Sequence, residues 1–108
     1  MPYAEALAAW QAFAGLAEAA RRAAEQEDWT QALVLGERLM AEQDGLPRLE
    51  TLALSEDEQA TLRLTLTAVQ ANIEQSRRLM GRERDTLSEE MHHLRTRSRV
   101  LDAYSKGL

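Results

Sequence analysis

The sequence predicts an all-α protein, an antiparallel bundle of three main helices with a C-terminal helical segment. The 108 residues contain no cysteine, which excludes disulfide-rich scaffolds and cysteine-based zinc folds. Helix-favouring alanine, leucine, glutamate, arginine and glutamine are abundant, whereas valine and isoleucine together number four, too few for an all-β fold. We expect main helices at about 3–26, 29–43 and 56–96, the last of them either followed by or continuous with the C-terminal segment, in a single domain over 1–108.

The first helix is predicted to begin after Pro2, whose missing N–H costs nothing at a helix start. Its apolar residues recur at helical spacing, and its many alanines allow a neighbouring helix to approach closely. An acidic turn follows, in which Asp28 and Gln31 form a capping-box pattern for the second helix. Because this turn is so short, the two helices should be antiparallel neighbours. Trp10 and Trp29 lie on apolar faces, and we expect them to be core residues that close the same end of the pair.

The second helix is predicted to end at 44–47, where Gly45 can adopt a left-handed conformation and Pro47 cannot continue the helix. The following loop, 46–54, contains four leucines, so we expect it to fold over one end of the bundle. Ser55 and Glu58 then form a capping box for the third helix.

The third helix contains no proline and could run from 56 to about 104, a length of over 70 Å at ~1.5 Å per residue. The first two helices are too short to cover it. An apolar residue recurs every seven positions along it: Leu66, Ile73, Met80, Leu87, Leu94 and Leu101. The flanks of this row become polar in the middle, near Gly81. We therefore expect a kink or break near 78–84 or around 96–98.

Charge is distributed unevenly along the chain. Residues 1–76 hold 13 acidic and five basic residues, a net charge of −8, and residues 77–108 hold five acidic and eight basic residues, a net charge of +3. A basic C-terminal third can bind nucleic acid or lie back against its own acidic body. Between Arg77 and Arg99, acids are interleaved with the bases and no aromatic residue lies among them, which favours the second interpretation. No nucleic-acid partner is therefore expected.

The sequence offers little that resembles a catalytic or metal site. Glu89 with His92 and Glu90 with His93 have the spacing used in di-iron bundles, but only one helix supplies it, so the pair is interpreted as solvated. A helical chorismate mutase would need a mid-chain lysine, and the only lysine is Lys106. We expect no enzyme activity, no metal and no cofactor. The N-terminus lacks a basic region and no apolar run could span a membrane, which predicts a cytoplasmic protein.

The order of these features resembles the FliT family of flagellar export chaperones. The resemblance rests on five features: Trp10 in the first helix, an acidic turn and tryptophan opening the second (27–33), a Leu/Pro loop before a long helix, an Arg-Glu-Arg-Asp-Thr-Leu run (82–87) and a tyrosine between small residues (103–105). It implies binding of the C-terminal amphipathic helix of the filament-cap protein FliD, protection of that helix from premature assembly or aggregation, and delivery to the export gate FlhA, with the export ATPase as a further partner. The alternative is a regulatory protein that binds a transcription factor such as FlhDC or another helical partner.

Under this resemblance we expect a client helix to lie in a groove. The candidate client-binding residues are Leu35, Leu39, Val69, Ile73 and Met80; the alternative is that most of them are simply bundle core. Leu94, Leu101 and Tyr104 are candidates for a competing tail or a second docking face, and 99–108 for a mobile or autoinhibitory tail. Self-association through the long helix is a further expectation.

Overall fold

The computed structural model describes residues 2–106. Helix α1 spans Tyr3–Glu25, α2 spans Trp29–Gln43 and α3 spans Glu56–Lys106, with one 3-10 turn at Leu49–Thr51. The predicted all-α fold class is confirmed. The molecule is extended, measuring 79 × 22 × 20 Å, because α3 alone contains 51 residues. Met1, Gly107 and Leu108 lie outside the described residues, so the ends of the predicted domain 1–108 and of the predicted tail 99–108 are not covered.

Helix α1 is the centre of the fold. It packs against both α2 and α3, and across residues 2–106 these are the two extensive helix–helix interfaces. The contact surface of α1 is built on small side chains, the buried residues Ala6, Ala17, Ala20, Ala23 and Ala24. Alanine adds no bulk between helices, so the backbones approach closely. Larger core side chains come from all three helices: Phe13, Leu16, Leu35, Leu62 and Val69.

The α1–α2 turn reverses the chain through a left-handed residue. Glu27 has φ 60°, its N–H donates to the Ala24 carbonyl at 3.1 Å, and the Asp28 N–H donates to the Ala23 carbonyl at 2.9 Å. These two bonds form a Schellman motif, which satisfies carbonyls at the end of α1. Asp28 then caps α2, since its carboxylate accepts from the Gln31 N–H at 3.2 Å. The predicted cap and the antiparallel hairpin are confirmed.

The left-handed residue was expected at the other end of α2, and that prediction is wrong. The backbone of Gly45 does not have a positive φ. Instead, the N–H groups of Gly45 and Leu46 donate to carbonyls three residues earlier, in Glu42 and Gln43. Such bonds tighten the last turn of a helix without reversing the chain, so no left-handed residue is required.

The two tryptophans lie at opposite ends of the hairpin, so the expectation that they close the same end is wrong. The indole Nε1 of Trp10 donates to the Pro47 carbonyl at 3.1 Å, beyond the end of α2, whereas Trp29 begins α2 and packs on the core beside the end of α1. An antiparallel hairpin separates these positions by the length of α2. The connection to α3 packs as predicted, with half-buried leucines at 46, 49, 52 and 54.

Helix α3 begins at the predicted capping box and continues without interruption. The Ser55 N–H donates to the Glu58 carboxylate at 2.9 Å, and the Glu58 N–H donates to the Ser55 hydroxyl at 3.2 Å. The predicted break near 78–84 or 96–98 is absent from α3. Gly81 lowers helix stability by only about 1 kcal/mol and keeps its N–H, so it does not end a helix that is anchored on α1.

Replacing Glu27 by glycine should stabilise the protein. A side chain at positive φ is strained and glycine is not, so we expect Glu27→Gly to raise the free energy of unfolding by about 1 kcal/mol. Glu37→Gly, the same change within α2, should lower it by about 1 kcal/mol. Urea unfolding followed by circular dichroism measures both. A loss of stability in Glu27→Gly would contradict the role given to this turn.

Candidate functional site: a groove between α2 and α3

A groove opens between α2 and α3 because both helices pack on α1 and share no comparable interface in residues 2–106. Its inner section has a volume of about 290 Å³. This section is lined by small residues, Ala20, Ala32, Gly36 and Ser76, and by larger apolar residues, Phe13, Leu39, Met40, Ile73 and Met80. The small residues leave room for a bulky apolar side chain, since a cavity of roughly 150 Å³ already holds benzene.

The groove continues along α3 beyond the first residues of α2. Its outer section, of about 820 Å³, is lined by Trp29, Leu87 and Met91 and shares Leu33, Arg77 and Met80 with the inner section. From Ile73 to Met91 is 18 residues, or about 27 Å along the helix axis at ~1.5 Å per residue. The two sections therefore form one elongated apolar groove, which we call the α2–α3 groove.

Methionine is concentrated in this groove. The chain has four methionines, and the three within the described residues, Met40, Met80 and Met91, all line it. Met40 is 74% exposed and Met91 is 53% exposed, so both are available to a partner. Methionine has a flexible, polarizable side chain that adapts its shape to an apolar partner. This composition is typical of a protein-binding surface.

The charged side chains at the groove are Glu37 on α2 and Arg77, Glu83 and Arg84 on α3. A different polar contact, away from the groove, ties α1 to α3: the Arg21 guanidinium donates to the Asn72 side-chain carbonyl at 2.6 Å and pairs with Glu25 at 2.7 Å. No local pattern in the sequence predicts this contact, because the two residues are 51 positions apart. Its role is to fix the two helices relative to each other.

Beyond Glu83, α3 leaves the body of the protein. Every residue from 84 to 106 is exposed, and we call this part the distal segment. The expectation that the basic third lies back on the acidic body is therefore wrong for residues 84–106, although Leu79 packs against the core. In the structure as described, all ion pairs join residues three or four positions apart within one helix. His92 and His93 lie side by side on this segment, with ring centres 6.3 Å apart, and both are exposed.

Comparison with known protein families matches the chain, over residues 7–106, to the family described as flagellar protein FliT. This match spans almost the entire chain. The chain belongs to the FliT family. Comparisons with curated proteins and with solved structures find no match. The predicted family is confirmed, and the protein is a member of a family of flagellar proteins.

The five candidate client-binding residues of this FliT-family chain fall into two groups. Leu39, Ile73 and Met80 line the α2–α3 groove. Leu35 and Val69 are only 7% and 5% exposed and belong to the core. Helical spacing places a residue on a face but does not identify the helix which that face meets. Leu33, Met40, Leu87 and Met91 line the groove and were missed, although their apolar character at exposed positions is the signal that could have found them.

The second set of candidates, Leu94, Leu101 and Tyr104, lies on the distal segment and is 63%, 62% and 73% exposed. No contact with the groove is made by these residues in the described structure, in which α3 continues straight past the end of the hairpin. Their role as a competing tail or a docking face stays a prediction.

Two further properties concern the described residues of the FliT-family chain. No group of three histidine, aspartate or glutamate side chains is placed to hold a metal ion within residues 2–106. None of the helices in this range combines the length and apolar character that a membrane span requires.

The exposed leucines of the distal segment should contribute little to folding. We expect the double variant Leu94→Ala, Leu101→Ala to change the free energy of unfolding by less than about 0.5 kcal/mol, because neither side chain is buried. Leu62→Ala, the same change at a core position that is 2% exposed, should cost about 2–5 kcal/mol. Thermal unfolding across a range of protein concentrations measures both. A large, concentration-dependent loss in the double variant would show that another copy covers these leucines.

Proposed function

We propose that this FliT-family protein is a cytoplasmic flagellar export chaperone without enzyme activity. Its client is the C-terminal amphipathic helix of the filament-cap protein FliD. The chaperone covers the apolar face of that helix, which prevents premature assembly or aggregation, and delivers FliD to the export gate FlhA, with the export ATPase as a further contact. The family match supports a flagellar role, and the α2–α3 groove supports a helical client.

The observation that carries this proposal is the shape of the α2–α3 groove. An α-helix with side chains is about 10 Å wide, and 18 of its residues span about 27 Å, the distance from Ile73 to Met91 along α3. The groove is apolar along this length, and its methionines, Met40, Met80 and Met91, occur at both ends. An amphipathic helix laid in such a groove buries its apolar face by the helix-in-groove mode of recognition.

A chaperone role fits a groove that can cover the apolar face of a client helix. An isolated amphipathic helix exposes an apolar stripe to water, and such stripes cause association with other chains. Burial of this stripe between α2 and α3 gives the client an apolar environment without assembly of the filament cap. The contact is non-covalent and surrounded by solvent, so it can be released at the export gate.

The distal segment supplies a second docking surface in this proposal. Leu94, Leu101 and Tyr104 are exposed and lie beyond the hairpin, so a partner can contact them while a client occupies the inner groove. FlhA is the proposed partner of this surface.

Filling the groove should block client binding. A Cβ added at Gly36 would have no atom of a neighbouring helix within 4 Å, so we expect Gly36→Leu to fold normally and to project into the inner section. We expect its affinity for purified FliD to fall roughly tenfold or more, because the client loses an apolar contact area. Isothermal titration calorimetry measures this affinity.

The matched control for this experiment is Gly15→Leu. Gly15 lies in the middle of α1, is exposed and away from the groove, and also has no neighbour within 4 Å of an added carbon. Both variants gain helix propensity. If Gly36→Leu binds FliD as tightly as Gly15→Leu does, the groove is not the client site. If the unaltered protein does not bind FliD at micromolar concentrations, the chaperone proposal fails.

The triple variant Leu94→Ala, Leu101→Ala, Tyr104→Ala should show whether the distal segment and the α2–α3 groove bind different partners. Alanine preserves helix propensity, so we expect normal FliD affinity and a loss of binding to the cytoplasmic domain of FlhA. Pull-down with each partner measures this. Unchanged FlhA binding would contradict the docking role. Tighter FliD binding would show instead that these residues compete with the client, as an autoinhibitory tail does.

A further inference from the structure

We propose that the α2–α3 groove selects amphipathic helices that carry acidic side chains along the edge next to α3. This inference rests on the proposed function, because it concerns the chemistry of the helix that the groove accepts. The selecting residues are Arg77 and Arg84. Both line the groove and both are exposed. They are seven residues apart, which places them on the same face of α3 at a separation of about 10.5 Å along its axis.

These two arginines carry uncompensated charge. In the described part of α3, one ion pair is formed, between Arg78 and Glu74 at 3.5 Å, and Arg77 and Arg84 take part in none. The acids nearest to them in sequence are Glu74, which pairs with Arg78, and Glu83 and Asp85, which flank Arg84. Asp85 does not line the groove, and Glu83 continues the row Leu62, Val69, Ser76, which is buried and spaced by seven residues. That row faces α1, so Glu83 belongs to the inner side of the groove. The arginines therefore form a basic outer edge.

The opposite edge of the groove, on α2, carries one acidic residue, Glu37, in the inner section. The nearby Glu42 does not line the groove and is compensated by Arg38 within its own helix at 3.4 Å. A groove with one acidic and one basic edge complements a helix whose two flanks differ in charge. Such a helix fits in one direction only, since reversing it would place like charges together, which is unfavourable. The edges thus select both the sequence and the orientation of the occupant.

The same charges make the protein's own distal segment a poor occupant. Its last 15 described residues, 92–106, contain four basic residues, Arg95, Arg97, Arg99 and Lys106, and a single acid, Asp102. Folded back into the groove, or donated by a second copy, this segment would bring arginines towards Arg77 and Arg84. Charge complementarity therefore favours a helix from another protein over either of these.

The expected effect is on selectivity and association rate more than on total affinity. Exposed ion pairs are individually weak and are screened by salt. The apolar residues that line the groove therefore provide most of the binding free energy. Charged residues at the rim of an interface mainly change how fast the correct partner associates and how strongly wrong partners are rejected. Two such pairs together should discriminate about tenfold between oppositely charged helices at low ionic strength.

Two synthetic peptides test this inference on the full-length protein. Both are 18 residues long with the same leucine face, and one flank carries either glutamate or lysine. Fluorescence anisotropy at low ionic strength should show about tenfold tighter binding of the glutamate peptide, and the preference should shrink at 1 M salt, where the Debye length is about 3 Å. The double variant Arg77→Glu, Arg84→Glu should reverse the preference.

The control is Arg78→Glu, Arg82→Glu, which makes the same charge change on α3 at exposed residues that do not line the groove. It should keep the preference for the glutamate peptide. Equal binding of the two peptides, or an equal effect of both double variants, overturns the inference and leaves the groove as a helix site. Failure of both peptides to bind overturns the proposed function as well. Tighter binding of a peptide with sequence 88–106 would identify the protein's own segment as the occupant.

Discussion

The close packing of α1 against two helices at once is the constraint on which the rest of the structure depends. Buried alanines on α1, such as Ala17 and Ala20, let α2 and α3 approach its backbone on adjacent faces. Two helices held on adjacent faces of a third cannot also close on each other along their length unless large side chains fill the space between them. Here the facing residues include Ala32, Gly36 and Ser76. The groove therefore follows from the close packing on α1 together with these small side chains on α2 and α3.

Sequence alone predicted the helices well because their ends depend on local chemistry. Asp28 and the Ser55–Glu58 pair satisfy N–H groups within three residues of themselves, so α2 has its predicted bounds and α3 begins where predicted. The turn at Glu27 was missed because glutamate is not a residue that favours positive φ. The predicted break in α3 failed for a similar reason, since propensity at Gly81 is a weak effect beside continuous hydrogen bonding along a long helix.

The candidate site was predicted only in part, because the spacing of apolar residues along a helix does not show which other helix covers its apolar face. Leu35 and Leu39 lie one turn apart on α2 and have the same residue type, yet one is in the core and the other lines the groove. The difference arises from where α1 passes, which is a tertiary property. The contact of Arg21 with Asn72 depends on the same property. Exposed apolar residues, such as Met40 and Met91, carry the functional signal only once the core is known.

The distal segment and the groove are physically connected through α3. Tertiary packing supplies most of the stability of helices in proteins, and most of this segment lacks it, but the segment is continuous with a helix already anchored on α1, which avoids the cost of nucleation. Its first apolar residues, Leu87 and Met91, belong to the outer groove. A client in the groove would add contacts to these residues and stabilise the first turns of the segment. The helical order of the proposed docking surface at Leu94, Leu101 and Tyr104 would then increase when a client is bound, because helix formation propagates along the chain. In this way a single uninterrupted helix can couple client binding to presentation of the second surface.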